Sequence, residues 1–250
     1  VLMAHVSYKS IAPIDGTPLT VIEALLEAVG DSGTLIFPTF TFSFCGTRKW
    51  NRQESPSESG FITELARNQS NAKRSCHPIY SVAAFGEKSD DYKACNDKNG
   101  IGDQSPFRLL VKHDAIMSLI GVGYNQGFPL GHHIEWKQNV DYRILKKFRG
   151  VVIDNNVVSE NDYSMSARNW EEGILTDFRK LGWMLEQQGA MKVGRFGWAI
   201  ARCVRAREYY TLCEKWLKDE VPNLMHRKES EITKEEKDKL IEDYFSNLSF

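Results

Sequence analysis

The chain has 250 residues, 42% hydrophobic and 26% charged, and its 32 Lys and Arg balance 33 Asp and Glu to a net charge of −1. This balance argues against nucleic acid as a partner, because nucleic-acid-binding proteins normally carry a basic excess. No stretch of the sequence approaches the roughly 18 consecutive apolar residues of a membrane span, and its start does not resemble a signal peptide. Five cysteines without a CxxC pair favour free thiols in a reducing compartment, so we expect a cytoplasmic protein.

The start of the chain predicts a strand, a helix and a second strand. Thr17 suits the N-cap of this helix, Pro18 its first turn and Gly30 the position just past its end. A strand–helix–strand order at this length favours parallel pairing of the two strands. Val1 leads directly into the first strand, so we expect the native chain to begin earlier. The three elements are predicted at residues 2–6, 17–29 and 34–37.

The later elements show no internal repeat or linker, which favours a single domain over residues 1–250. We predict an α/β fold in which helices flank a central mixed, largely parallel sheet. The tryptophans of the C-terminal helices, among them Trp183 and Trp198, are expected in the core. The remaining predictions are a loop at 39–59, helices at 61–68, 175–188, 198–217 and 234–248, a short turn or helix at 105–111, and strands at 78–85, 116–122, 142–152 and 157–158. A turn is predicted at 154–156, and the polar segment 161–170 is expected to line a pocket mouth. Thr233 and Glu236 predict a capping box at the start of the last helix.

A buried strand at 116–122 leads into a glycine-rich loop between Gly121 and Gly131, from which His132, His133 and Glu135 follow. Such loops carry chemistry in α/β proteins, because the sheet fixes the loop while the loop reaches the ligand. If His132 begins a helical turn, Glu135 lies on the same face, so an imidazole and a carboxylate can share one site. The alternative is a histidine at a helix entry beside a solvated glutamate.

Five motifs occur in order: HVSYKSI (5–11), GTLIFPTFTFSFC (33–45), RSCHPIYSVAAFG (74–86), GDQSPF (102–107) and LIGVGYN…HHIE (119–135). Together they resemble the aminoglycoside 3-N-acetyltransferase family over roughly residues 2 to 220. The resemblance is closest to a branch that acylates amino sugars during surface-polysaccharide synthesis. It implies a one-domain α/β fold, acetyl-CoA or another acyl-CoA as donor, and a primary amine as acceptor.

The resemblance also implies roles for individual residues. The family's catalytic histidine and its glutamate fall on His132 and Glu135, and the acidic residue of its G-(D/E)-x-SP motif falls on Asp103. A single serine precedes Tyr8 where the resistance enzymes usually carry two, which departs from the family pattern. The residues expected to bind the coenzyme are Ser7, Tyr8, Lys9, Ser10, Thr39, Arg74, Ser75, His77, Gly121 and Val122.

Positive charge follows the histidine motif at Lys137, Arg143, Lys146 and Lys147. This charge favours an anionic acceptor, such as a nucleotide-linked amino sugar, unless these residues form a solvated face. We therefore interpret the chain as an N-acyltransferase that moves an acyl group from coenzyme A to the amine of such a sugar. The alternatives are an aminoglycoside 3-N-acetyltransferase and a non-enzymatic coenzyme- or sugar-binding protein on the same fold. The last helix could form part of a homo-oligomer contact.

The proposed chemistry needs a base, because an alkyl ammonium is not a nucleophile until a proton is removed. Histidine is the natural base near neutral pH, and direct attack on the thioester follows. A covalent route through Cys76, beside His77, is a competing mechanism. His132, His133 and Glu135 could also ligate a metal, but the sequence lacks an HExxH arrangement, so no metal is expected.

Overall fold

A mixed seven-stranded sheet runs through the middle of the protein. This computed structural model describes residues 1–11 and 13–245. The strands are β1 (Leu2–Val6), β2 (Thr34–Pro38), β3 (Lys49–Asn51), β4 (Lys73–Arg74), β5 (Val82–Gly86), β6 (Ile116–Ile120), β7 (Arg143–Asp154), β8 (Val157–Arg168), β9 (Ile174–Thr176), β10 (Lys192–Phe196), β11 (Ala199–Arg205) and β12 (His226–Lys228). The helices are α1 (Tyr8–Ile11), α2 (Pro18–Val29), α3 (Phe44–Thr47), α4 (Phe61–Arg67), α5 (Ser89–Lys93), α6 (Pro106–Lys112), α7 (Pro129–Lys137), α8 (Arg179–Gln187), α9 (Ala206–Lys218) and α10 (Lys234–Phe245).

The strand order of this sheet is β10-β11-β6-β1-β2-β5-β4. Strand β1 pairs in parallel with both β2 and β6, with Leu2 opposite Leu35 on one side and Ile116 on the other. The outer strands all join antiparallel. The sheet is mixed, as predicted, but its parallel part is confined to the three central strands. The carboxyl ends of these three strands meet at one edge, which is where α/β sheets bind ligands.

Helices cover both faces of the sheet and build two apolar clusters. Val21 and Leu25 of α2 pack with Ile62 of α4 on one face. On the other face, Leu110 of α6 and Ile134 of α7 share a larger cluster with α9. The predicted layered α/β fold is therefore confirmed. None of the described helices is both long and apolar enough to cross a bilayer.

A smaller three-stranded sheet, β3-β7-β8, stands beside the main one. Strands β7 and β8 form a long hairpin whose turn residues, Asn155 and Asn156, both have positive φ, of 48° and 65°. Two consecutive residues with positive φ suit the right-handed twist of a hairpin, and asparagine tolerates this conformation well. The predicted turn at 154–156 is confirmed, and the hairpin carries the end of β8 back toward the main sheet.

The predicted helix at 198–217 is wrong in its first third. Residues 199–205 form β11 instead, because they pair with β6, where Arg205 lies opposite Ile116, and with β10. Sheet pairing at long range thus overrides local helical spacing. Trp198 and Trp183 are 71% and 58% exposed, so the expectation that they lie in the core is also wrong.

Smaller differences concern element boundaries. The strand predicted from residue 78 begins at Val82, and the helix predicted from residue 175 begins at Arg179 after β9. The loop predicted at 39–59 contains α3 and β3. The capping box of α10 is confirmed, since the Thr233 backbone N–H donates to Glu236 Oε2 and the Glu236 N–H to Thr233 Oγ1. The predicted end of this helix, at residue 248, lies outside the described residues.

Candidate active site

A cavity of about 270 Å³ opens at the edge of the main sheet where β1, β2 and β6 end. His5 and Val6 of β1, Pro38 of β2 and Val122 just after β6 form its inner wall. The end of β8 contributes Ser166 and Arg168 to the facing wall, and Trp170 follows, so the prediction that 161–170 lines a pocket mouth fits its second half. The concave shape and apolar lining are typical of a small-molecule site.

His132 and Glu135 lie together on α7, which begins with Pro129 just after the glycine-rich loop. The His132 Nδ1 atom is 2.7 Å from Glu135 Oε2, and the imidazole lines the cavity against the Phe178 ring. The imidazole is 20% exposed, whereas the Glu135 side chain is fully buried. The alternative of a solvated glutamate is therefore wrong. Because Nδ1–H donates to the carboxylate, Nε2 is the ring nitrogen left for a substrate.

Arg143, the first residue of β7, forms an ion pair through Nε with the same Glu135 oxygen. Its Nη1 donates to the Ser166 carbonyl at 3.2 Å and its Nη2 to Thr176 Oγ1 at 3.3 Å, so the guanidinium is fixed at the cavity wall. Burial alone would raise the pKa of Glu135, but Arg143 and His132 outweigh burial and hold the pKa below its usual value. Glu135 is therefore an ionised acceptor near neutral pH.

The pKa of His132 lies below the ordinary histidine value of 6.5. Burial is the largest cause and Arg143 the second, and both outweigh the opposing effect of Glu135. A lowered pKa keeps the imidazole neutral at pH 7, which is the form that can take up a proton. The pair thus has the arrangement and the protonation state of a general base with its orienting carboxylate.

The loop after β1 and the loop after β6 meet beside the cavity. The Ser10 hydroxyl lies 2.9 Å from Ser7 Oγ and 3.0 Å from the Gly121 carbonyl. Gly121 has φ +68°, and a Cβ there would come within 2.5 Å of Ser10 Cβ, so only glycine allows this approach. The structure therefore brings part of the predicted coenzyme set together, namely Ser7, Tyr8, Lys9, Ser10, Gly121 and Val122. Their contact with a coenzyme remains a prediction.

Arg74 is buried in the interior. Its guanidinium donates to the carbonyls of Thr39 and Ser55, at 2.8 and 2.5 Å, and packs over the Trp50 ring. Burial lowers the pKa of Arg74 to about 9. Thr39 is buried beside it and bonds Ser81. Both side chains hold the segment after β2 in place, and their expected contact with the coenzyme stays a prediction.

Ser75 and His77 are buried as well. The Ser75 hydroxyl accepts from the Val82 N–H at 2.9 Å, and His77 Nδ1 accepts from the Tyr80 N–H at 3.0 Å. Burial lowers the pKa of His77 to about 3, so this imidazole stays neutral. Their polar atoms bond the turn before β5, and their expected contact with the coenzyme stays a prediction.

Asp103 lies outside the cavity lining, half exposed, in an ion pair with Lys137 at 2.8 Å. This position gives no support to a catalytic role for Asp103, which stays a prediction. Lys146 and Lys147 are exposed on β7, so the solvated-face alternative holds for them. Of the positive residues after the histidine motif, Arg143 lines the cavity.

Cys76 is also absent from the residues that line the cavity, and its sulfur lies 3.8 Å from Arg52 Nη1. This placement does not favour a covalent route through Cys76. The His133 imidazole has a partner of its own, since its Nδ1 lies 2.6 Å from the Ile101 carbonyl. Within the described ranges, no group of three or more His, Cys, Asp and Glu side chains could hold a metal ion.

Sequence reasoning missed several residues of the site. Phe178 and Thr176 line the cavity. Tyr142 and Tyr209 lie near Glu135, whose negative charge raises the pKa of both tyrosines. These residues lie on elements far apart in the chain, and no local pattern marks them.

Comparisons with known proteins agree with the five motifs. The family model described as aminoglycoside 3-N-acetyltransferase matches residues 3–218. The chain is 28% identical over 213 residues to aminoglycoside N(3)-acetyltransferase IV of Salmonella sp, covering 83% of this chain and 77% of that protein. It is 25% identical over 246 residues to the SPbeta prophage-derived aminoglycoside N(3')-acetyltransferase-like protein YokD of Bacillus subtilis (strain 168), covering 86% and 85%. The solved structure of AAC-IIIb binary with CoASH shares the fold, with a TM-score of 0.76 at 19% identity, covering 88% of this chain and 91% of that one.

Proposed function

The chain belongs to the aminoglycoside 3-N-acetyltransferase family, and we propose that it acetylates a primary amine of an aminoglycoside-type amino sugar. Enzymes of this family are acyl-CoA-dependent transferases with acetyl-CoA as co-substrate. The observation that carries the proposal for this chain is the His132–Glu135 pair, set in a cavity at the carboxyl ends of parallel strands. The surface-polysaccharide interpretation has no such support, since both relatives named above are named for aminoglycosides.

In the proposed reaction, the amine nitrogen attacks the thioester carbonyl carbon while His132 Nε2 takes a proton from the nitrogen. A tetrahedral intermediate with a negative oxygen forms, and the C–S bond then breaks. The imidazolium returns its proton to the departing sulfur, so the products are the N-acetylated amine and free coenzyme A. Glu135 accepts from Nδ1–H throughout, which fixes the ring and stabilises its cationic form.

The oxyanion needs donors aimed at it. The N–H groups of Gly121 and Gly123 are already bonded, to the Ile200 carbonyl at 2.9 Å and to Gln126 Oε1 at 2.8 Å. Among the described residues, the Val122 N–H between them has no partner, and Val122 lines the cavity. The Val122 amide is therefore our candidate donor.

A second acceptor class deserves a test because of the charge in the cavity. Arg143, which is ion paired with Glu135, and Arg168 line it, and none of the described lining residues is Asp or Glu. A polycationic drug gains affinity from carboxylates, whereas an amino sugar that carries a phosphate or carboxylate gains it from arginines. The candidate acceptor of this kind is a nucleotide-linked aminohexose.

The deciding experiment measures thiol release from acetyl-CoA with an aminoglycoside, with a nucleotide-linked aminohexose and without acceptor. Faster release with the aminoglycoside supports the proposed function, and faster release with the nucleotide sugar supports the second class. The His132→Gln variant serves as control in each arm. Binding of acetyl-CoA without thiol release in any arm would indicate a coenzyme-binding protein instead.

A further inference from the structure

The inner side of Glu135 faces a group of buried polar atoms that the mechanism above does not use. Glu135 Oε1, Tyr142 Oη and Tyr209 Oη are all buried, and none makes a hydrogen bond of full geometry with a described residue. The Tyr142 hydroxyl approaches the Glu135 carboxylate, and the Tyr209 hydroxyl approaches the Cys213 thiol. A buried polar group without a partner destabilises the folded state. The set contains one anionic acceptor and two hydroxyl donors, so its members can form hydrogen bonds with one another.

Tyr209 reaches this place from α9. A Cβ at Gly131 would lie 2.9 Å from Tyr209 Oη, so the hydroxyl rests against the helix backbone at that residue. Gly131 and Glu135 are four residues apart on α7 and therefore share one face of the helix. The hydroxyl of Tyr209 thus lies on the same side of α7 as the buried carboxylate, one turn before it.

Tyr142 reaches the same place from the start of β7. It directly precedes Arg143, whose guanidinium is ion paired with Glu135. The Tyr142 ring stacks on His226 of β12 with 3.8 Å between ring centroids, which restricts where its hydroxyl can point. Two tyrosines from separate elements therefore converge on one carboxylate.

The electrostatics agree with this geometry. Burial raises the pKa of both Tyr142 and Tyr209, and the negative charge of Glu135 raises each further. Both phenols therefore stay protonated and can donate throughout the working pH range. The titratable groups that face Glu135 are His132 on its own helix, Tyr142 and Arg143 at the start of β7, Tyr209 and Cys213 on α9, and His226 on β12.

We propose that Tyr142 and Tyr209 are positioning residues, whose hydroxyls supply hydrogen bonds to Glu135 Oε1 while Oε2 holds His132 Nδ1. Hydrogen bonds to a carboxylate draw negative charge away from it and fix its orientation. They therefore moderate how strongly Glu135 stabilises the His132 imidazolium. The catalytic part of this inference rests on the proposed function, whereas the effect on the His132 imidazole does not.

The test replaces each phenol by a benzene ring, in Tyr209→Phe and Tyr142→Phe, and follows the His132 ring by NMR titration of the protein without substrates. We expect the pKa of His132 to rise in each variant, because Glu135 then carries more charge toward the imidazole. Tyr210→Phe is the matched control. It makes the same change at the next residue of α9, whose hydroxyl is influenced by Glu214 rather than Glu135.

Kinetics add a second readout. The same hydrogen bonds orient the carboxylate that fixes the His132 ring, so each Phe variant should lose roughly tenfold in kcat through misplacement of the base, with KM for acetyl-CoA unchanged. In a Glu135→Gln background, adding Tyr209→Phe should cause little further loss, since the carboxylate through which it acts is gone.

An unchanged or lowered His132 pKa in both Phe variants contradicts the proposal, as does a full additional loss in the Glu135→Gln background. If Tyr209→Phe fails to fold, Tyr142→Phe decides by the same two readouts. Absence of thiol release by the unmodified protein would overturn the proposed function alone, because the NMR titration needs no turnover.

Discussion

The Nδ1 atom of His132 lies 2.7 Å from Glu135 Oε2, and this same oxygen is ion paired with Arg143. The carboxylate is therefore shared between an imidazole on its own helix and a guanidinium on β7. Arg143 keeps Glu135 ionised and lowers the pKa of His132, whereas Glu135 raises the pKa of His132. These opposing effects leave a neutral imidazole whose Nδ1–H is fixed by Glu135. The first three predictions below follow from this state of the imidazole.

Replacing His132 by glutamine should lower kcat by about 10²–10⁴-fold, the usual contribution of a general base. Binding of acetyl-CoA, measured by calorimetry, should stay near that of the unmodified protein, because the coenzyme is expected along other loops. Retention of near-normal turnover in this variant would show that another group takes the proton.

Glu135→Gln should lower kcat because the amide cannot stabilise the imidazolium, and it should destabilise the fold because Arg143 loses its buried anionic partner. We expect a stability loss of about 3–5 kcal/mol in chemical denaturation, as for one broken buried pair. Asp103→Asn is the matched control, since Asp103 forms an exposed pair with Lys137. This control should change both activity and stability little. A large loss of turnover on Asp103→Asn would restore the catalytic role that the sequence suggested.

In the pH profile of kcat/KM, activity should fall on the acidic side with an apparent pKa below 6.5, the ordinary pKa of histidine. We call this fall the acidic limb. The sign follows from the lowered pKa: the imidazole stays neutral, and active as a base, to a lower pH than a free histidine would. In the Glu135→Gln variant the limb should move further toward acid, since the group that raises the pKa is removed. An acidic limb with an apparent pKa above 6.5 in the unmodified enzyme would show that burial and Arg143 do not outweigh the effect of Glu135 on the pKa of His132.

Arg74→Met tests whether Arg74 stabilises the fold or binds the coenzyme. The substitution leaves the carbonyls of Arg52 and Ser55 without the Arg74 donor. At roughly 1–3 kcal/mol for each unsatisfied group, the free energy of unfolding should fall by at least about 2 kcal/mol. KM for acetyl-CoA should be unchanged. Arg108→Met, at an exposed arginine, is the control for the loss of charge. A raised KM with normal stability would return Arg74 to the coenzyme site.

The sequence was informative where a signal is local. Thr17, Pro18 and Gly30 define α2 through capping chemistry, and the spacing of His132 and Glu135 on one helical face predicted their contact. The fold class followed from the order of the first three elements. All of these depend on residues within a few positions of one another.

Long-range pairing could not be predicted in the same way. Residues 199–205 directly precede a helix in the chain, yet they form β11 because they pair with the edge of β6. Arg74 and His77 belong to a family motif, but only the tertiary structure shows that their polar atoms are used inside the protein. Similarly, a single sequence does not show that Arg143 pairs with Glu135.

Gly131→Ala should damage the site even though alanine favours a helix by about 1 kcal/mol over glycine. A Cβ at Gly131 would lie 2.7 Å from Phe178 Cε1 and 2.9 Å from Tyr209 Oη. Overpacking of this kind costs typically 1–3 kcal/mol, so we expect a net loss of stability in thermal or chemical denaturation. Turnover should fall as well, because the displaced Phe178 ring packs against the imidazole of His132. Gly46→Ala on α3 is the matched control, since no atom lies within 4 Å of the added carbon. That control should be neutral or slightly stabilising with full activity, and a Gly131→Ala protein that behaves like it would show that α7 and α9 are not packed as closely as described.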